Sequence, residues 1–172
     1  MTALTEGEDL RDIAFMREAL KEAKRAFDED EVPVGAVLVV DSRIVARGRN
    51  QVELLSDATA HAEMICLSAG AAQAANWRLG NATLYCTLEP CSMCAGAMFL
   101  SRLKRLVWAA PDLRVGANGS WIDLFSQKHP IHTVEVASGI LQDEAADLMR
   151  AFFQKQRKKS EPRDTCSHAR DG

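Results

Sequence analysis

The chain has 172 residues, a length that bounds it to one domain with material for a sizeable core. Apolar residues make up 47% of it and charged residues 26%, the ordinary proportions of a soluble globular protein. A formal net charge of −3 excludes the strongly basic surface that binds nucleic acid in bulk, so any RNA partner must be held by local basic patches and by shape.

In chain order, residues 1–11 are acidic and polar and lack the apolar core of a signal peptide. Over residues 8–28, Ile13, Met16, Leu20, Ala23 and Phe27 recur at helical spacing with charges between them, which predicts an amphipathic helix. Pro33 precedes a nearly continuous apolar run, 34–40, expected as a buried strand and far too short to span a bilayer. Asp41-Ser42 is a tight connection into residues 43–48, so the two segments form a hairpin. Residues 51–59 are polar and expected as loop, and the alanine-rich 59–75 as a second helix. A third strand (82–88), a third helix (90–101) and a fourth strand (104–110) follow. Residues 111–120 form a loop with Gly116 and Gly119, followed by a short apolar segment at 121–125. A fifth strand (133–137) and a long terminal helix (142–159) complete the pattern. The remaining segment carries Pro162, mixed charge and almost no apolar residues. One domain over 1–159 and a disordered tail over 160–172 are therefore expected. Strands alternating with helices after an initial hairpin predict an α/β layered domain with a mostly parallel sheet.

Five cysteines, odd in number and unevenly spaced, argue against a disulfide framework and for a reducing cytoplasm. Two of them stand in Pro90-Cys91-Ser92-Met93-Cys94, downstream of His61-Ala62-Glu63. One imidazole and two thiolates leave one tetrahedral position of a zinc ion for water. The spacing is the described signature of the zinc deaminases. Pro90 suits the first turn of a helix, on which Cys91 and Cys94 lie three apart, with the positive helix end favouring both thiolates. Two such cysteines alone are more often buried structural residues; Pro90 and the upstream histidine–glutamate pair reverse that. His61 and Glu63 would point about 200° apart in a regular helix, so they converge only if His61 sits at its irregular start. Zinc with two thiolates and a neutral imidazole has no net charge and acidifies its water less than a three-histidine site does. Glu63 is the base that compensates, and it also suits a first-turn acid favoured by the helix dipole. Cys66 and Cys86 read as buried apolar residues. Nothing makes His129 or His132 ligands; Cys166 and His168 in the tail mimic a metal pair, but flanking charge and expected disorder argue against one.

Further segments carry a resemblance: Val32-Pro33-Val34-Gly35-Ala36-Val37, Asn50, Thr59 to Glu63, Asn76-Trp77-Arg78-Leu79, Thr87 to Met98, Gly116 to Ser120, and Phe152-Phe153. Over roughly residues 9–158 the chain resembles the bacterial tRNA-specific adenosine deaminases of the cytidine/deoxycytidylate deaminase superfamily. The resemblance implies a three-layer α/β/α cytidine-deaminase-like fold with a five-stranded mixed sheet, and a homodimer. It implies one zinc ion per chain and hydrolytic deamination of the wobble adenosine of a tRNA anticodon stem-loop to inosine, in the cytoplasm. By position, His61, Cys91 and Cys94 hold the zinc and Glu63 shuttles protons. Asn50 hydrogen-bonds the flipped adenine edge, the backbone around Ala62 helps hold the base, Asp112 lies near the anticodon ribose, and Arg114 is close by. On residue type alone Asn50 is also a turn former after Gly48. Pro111 and Leu113 flank Asp112 where the family often has a basic or polar residue, so this loop is expected to hold RNA somewhat differently. Lys155, Arg157, Lys158 and Lys159 end the last helix, where the family contacts tRNA, though cations equally favour a helix C-terminus. Two other classes are compatible with the metal motif. One is a deaminase of a free base or nucleoside such as guanine or cytosine; the other is a non-catalytic zinc-stabilised RNA-binding module, which has no need of Glu63.

Overall fold

The computed structural model describes residues 6–160, so the expected tail lies outside the described residues except for Ser160. The elements are α1 (Glu6–Asp28), β1 (Gly35–Val40), β2 (Arg43–Arg49), α2 (Val52–Leu55), α3 (Ala62–Gln73), β3 (Ala82–Leu88), α4 (Ser92–Leu100), β4 (Arg105–Ala110), β5 (Glu135–Ser138) and α5 (Gln142–Ser160). The five strands form one sheet in the order β2-β1-β3-β4-β5.

The hairpin is where the sequence places it, with Asp41 at φ 47° and Ser42 at φ 60°. Positive φ at both central residues gives the turn whose twist matches the flanking strands. The sheet is mixed rather than mostly parallel. β1 pairs antiparallel with both β2 and β3, and β4 pairs parallel with β3 and β5. β2, β3, β4 and β5 thus share a direction, and β1 lies between two of them pointing the other way. Strand and helix alternation cannot report that insertion, because it fixes the order of elements along the chain and not their order across the sheet.

Alternate residues of the central strands feed two cores. Leu38, Leu84, Cys86, Leu106 and Trp108 face α3 and α4, packing on Cys66, Leu67, Ala95, Met98 and Phe99. Val37, Val39, Tyr85, Val107 and Ala109 face the other way, onto Met16 and Ala19 of α1 and Ala145 of α5. Helices therefore cover both faces of the sheet, which makes the three layers and explains why β1 is apolar along nearly its whole length. Asp12 of α1 is buried yet matched. It accepts hydrogen bonds from Tyr85 Oη at 2.8 Å and from Arg105 at 2.8 and 2.7 Å, tying the helix to β3 and β4.

Close approach of α1 to β1 needs Gly35, since a Cβ there would lie 2.2 Å from the Ala19 carbonyl oxygen and 2.3 Å from the Ala23 nitrogen. Both are helix backbone and cannot rotate aside. Gly35→Ala should cost about 3 kcal/mol, the upper end for overpacking, measured as a fall in urea midpoint at unchanged slope. A midpoint near that of the parent would mean that α1 can shift off the sheet.

The remaining departures from expectation are local. Residues 52–55 form a turn of helix within the segment expected as loop. Pro90 stands before the cap of α4 rather than inside its first turn, since Cys91 is the cap residue. The fifth strand lies at Glu135–Ser138, one to two residues later than its apolar pattern suggests. Among the described residues no helix is long and apolar enough to cross a membrane.

Candidate active site

The site forms where β2, β3 and β4 end and α3 and α4 begin, the place where α/β sheets open for ligands. His61 caps α3 in an extended conformation (φ −71°, ψ 151°), and Cys91 caps α4 likewise (φ −74°, ψ 173°). Two helix N-termini therefore point their positive ends at one spot. The extended cap residue releases His61 from helical periodicity, so it and Glu63 serve the same cavity despite their two-residue spacing. Gly48 of β2 makes this seating possible. A Cβ there would come within 2.3 Å of the Ala62 carbonyl oxygen.

His61 Nδ1 lies 3.6 Å from Cys91 Sγ and 3.6 Å from Cys94 Sγ, and the two sulfurs are 3.7 Å apart. Tetrahedral zinc at ~2.3 Å from sulfur and ~2.1 Å from nitrogen requires about 3.8 Å between sulfurs and about 3.6 Å between nitrogen and sulfur. The triangle fits that ion, and among the described residues these three side chains form the cluster able to hold one. The electrostatics agree. Cys94 and then the His61 ring hold the Cys91 thiol far below its ordinary range, at about 4, against the opposing effect of burial. The contact with Cys91 and its burial push Cys94 up. A dication would replace the proton that keeps this pair from both ionising. Purified protein should carry about one zinc per chain, and Cys91→Ala/Cys94→Ala should carry none, by elemental analysis. Full metal retention in that variant would place the ion elsewhere.

Glu63, in the first turn of α3, is 3% exposed, and burial pushes its carboxyl up from the ordinary carboxylate range. It lines a cavity of about 380 Å³ together with His61, Cys91, Asn50, Asp112 and Arg114, a volume suited to a nucleobase and its sugar. Ala62 is fully buried as the first residue of α3, with its backbone between two cavity residues. Asp112 Oδ1 accepts a hydrogen bond from the Arg114 backbone N–H at 3.0 Å and stands 3.9 Å from its Nε. The exposed Arg114 also lies 5.8 Å from the Phe153 ring of α5.

Two acids that the sequence does not single out organise the walls. Buried Glu89 gathers the 112–120 loop, accepting from the N–H groups of Asp112 (3.1 Å), Asn118 (2.8 Å) and Ser120 (3.2 Å) and from the Ser120 hydroxyl. Buried Glu31 holds Asn50 and the turn of α2. Glu89 falls within the Thr87 to Met98 segment and Glu31 adjoins the Val32 to Val37 segment, but neither position marks the acid as buried or names its partners. Among the described residues the other histidines and cysteines play no part in the triangle; Cys166 and His168 lie outside the described residues. Cys66 and Cys86 are fully buried, and burial pushes Cys66 up to about 12, the environment of an inert thiol. His129 stacks on Phe99, and His132 Nε2 is 2.7 Å from the Leu103 carbonyl oxygen. At the end of α5, Lys155 and Lys159 both pair with Asp30, at 2.7 and 2.8 Å, and hold that carboxyl at about 2. Half of the basic cluster is thus turned toward α1.

The family model for the cytidine and deoxycytidylate deaminase zinc-binding region matches residues 10–110. The chain is 52% identical over 159 residues to the chloroplastic tRNA(adenine(34)) deaminase of Arabidopsis thaliana, covering 83% of this chain but only 12% of that longer protein. It is 44% identical over 149 residues to the tRNA-specific adenosine deaminase of Bacillus subtilis, covering 87% of this chain and 92% of that one. A solved structure from studies of A-to-I editing by tRNA:A34 deaminases superimposes with a TM-score of 0.76 at 44% identity, over 78% of this chain and 98% of that one. The motif, the metal geometry and these similarities agree: the chain belongs to the tRNA-specific adenosine deaminases of the cytidine and deoxycytidylate deaminase family.

Proposed function

We propose that the protein hydrolyses the wobble adenosine of a tRNA anticodon loop to inosine, with Glu63 as the proton carrier. The observation that carries this is a single cavity lined by His61 and Cys91, two members of a zinc-sized triangle that Cys94 completes from behind, together with a buried carboxylate, Glu63, and a buried amide, Asn50. Zinc would be held by His61, Cys91 and Cys94 and would supply a polarised water as the nucleophile for C6, one that still needs a base because two thiolates offset the metal charge. Glu63 takes one proton from that water and passes it to the adenine ring at N1, then takes the second from the new hydroxyl at C6 and delivers it to the departing amino group. The C6–O bond forms, the C6–N6 bond breaks, and ammonia leaves. Burial suits Glu63 to this work, because a carboxyl pushed up from its ordinary range accepts a proton more readily. Asn50 and the backbone at Ala62 hold the flipped base, and Asp112 with Arg114 meets the flanking sugar and phosphate.

A purely structural zinc module is poorly supported. Such a module gains nothing from a buried carboxylate beside its metal, and desolvating one is costly. The protein acts as a homodimer in this reading. An apolar groove beside α3 and α4, lined by Met64, Leu67, Leu79, Ala97 and the exposed Trp77 and Leu100, supports a partner surface next to the site. Four described cysteines are free, which supports a reducing cytoplasm. The deciding experiment incubates purified protein with an anticodon stem-loop bearing adenosine at the wobble position and measures inosine by nuclease digestion and chromatography. Inosine is expected at that position alone; deamination of free guanine or cytosine with the RNA untouched would assign a different substrate.

A further inference from the structure

Asn50 is 7% exposed, and its side chain is held at one end only. Nδ2 donates to Glu31 Oε2 at 3.0 Å, while Oδ1 has no hydrogen-bond partner among the described residues. No fully buried side-chain polar atom there lacks a partner, so Oδ1 opens onto the cavity that Asn50 lines. An amide can occupy the same space in two orientations, one presenting oxygen and one presenting N–H₂. Which one faces the substrate depends on the group behind it. That group is Glu31, itself 1% exposed, whose other oxygen accepts the Leu54 backbone N–H at 2.7 Å. A carboxylate only accepts, so it admits only the orientation with Nδ2 turned back and Oδ1 forward.

We propose that Glu31 is a positioning residue that sets the polarity of Asn50, so that the cavity offers the substrate an acceptor at this point. The inference rests on the reading of Asn50 as a substrate contact. An acceptor there suits an amino or hydroxyl hydrogen of the nucleoside, while the second Nδ2 hydrogen stays beside it. Glu31 also fixes α2 through Leu54, so the wall and the amide are set by one side chain.

Glu31→Gln tests this with little change of volume. The Leu54 N–H is a fixed donor and retains the glutamine oxygen, so the glutamine N–H₂ faces Asn50. Asn50 must then turn its oxygen back and present N–H₂ to the cavity. With the anticodon stem-loop as substrate, kcat/KM is expected to fall about tenfold to a hundredfold, the scale of a mispaired buried hydrogen bond. Zinc content and Tm should stay near those of the parent. In an Asn50→Ala background the same change should cost less than about twofold, since the residue it acts through is gone. The exchanged pair E31Q/N50D gives a second, independent arm. There the glutamine donates to one carboxylate oxygen and the other faces the cavity, so this variant should exceed N50D alone by about tenfold. That arm stands even where E31Q by itself folds poorly. Equal losses in both backgrounds, no loss from E31Q, or no advantage of E31Q/N50D over N50D would each overturn the proposal. A parent-like Asn50→Ala overturns it through the reading on which it rests. An impaired Asn50→Ala with a neutral E31Q overturns the proposal and leaves that reading standing.

Discussion

Glu63→Ala is expected to retain zinc and fold while losing turnover by about 10²–10⁴-fold, the range typical of general acid–base catalysis. The loss should reach the top of that range because in the proposed mechanism one group serves successive proton transfers. Two thiolates would neutralise the charge of a bound zinc, so such a site relies on a nearby carboxylate more than a three-histidine site does. Stability should change little. Alanine removes a first-turn acid that favours the α3 dipole, but it also removes a carboxyl that burial has pushed up. The residues able to hold the metal are His61, the cap residue Cys91 and Cys94 of α4, so zinc content is the control that separates lost chemistry from a lost site. Single-turnover inosine formation on saturating stem-loop measures the effect. A rate within a few-fold of the parent would show that the proton passes through some other group.

The chemistry was more legible in the sequence than the walls around it. His61, Cys91 and Cys94 stand in a spacing that brings them within reach of one ion, and the extended cap at His61 is the local irregularity that lets Glu63 line the same cavity. The hairpin at Asp41-Ser42 and the apolar run of β1 were equally plain, because turn chemistry and two-sided burial leave local marks. What escaped is long-range. Glu31 reaches Asn50 and Leu54 across nineteen and twenty-three positions, and Glu89 gathers a loop up to thirty-one positions away. A buried acid of this kind is read as a surface acid until its partners are seen. The antiparallel placement of β1 between β2 and β3 is long-range in the same sense. So is the capture of Lys155 and Lys159 by Asp30, a residue more than a hundred positions away.

Free adenosine should be a far poorer substrate than the stem-loop, by at least about 10³-fold in kcat/KM. In the proposed reading the cavity offers a nucleoside only the zinc site, Glu63 and Asn50, which all border the same space. The reaction further requires that C6 be held over the attacking water while its ring is protonated, and remote contacts to the rest of the substrate stabilise that geometry. The structure has candidates for such contacts just outside the cavity. Arg114, Arg150 and Arg157 border one further groove with Phe153, continuous with the active site through Arg114 and Met149. Three guanidinium groups suit the backbone of an unpaired loop, and an aromatic ring between them suits a splayed base. A nucleoside reaches none of these and loses their contribution to the transition state, so the deficit should fall on kcat as well as KM. It should also shrink as salt rises, because only the RNA reaction depends on phosphate contacts. Parallel kcat/KM measurements on adenosine and stem-loop at two salt concentrations test both statements. Comparable values at low salt would mean that the cavity alone recognises its substrate, and the protein would then be a nucleoside deaminase that merely tolerates RNA.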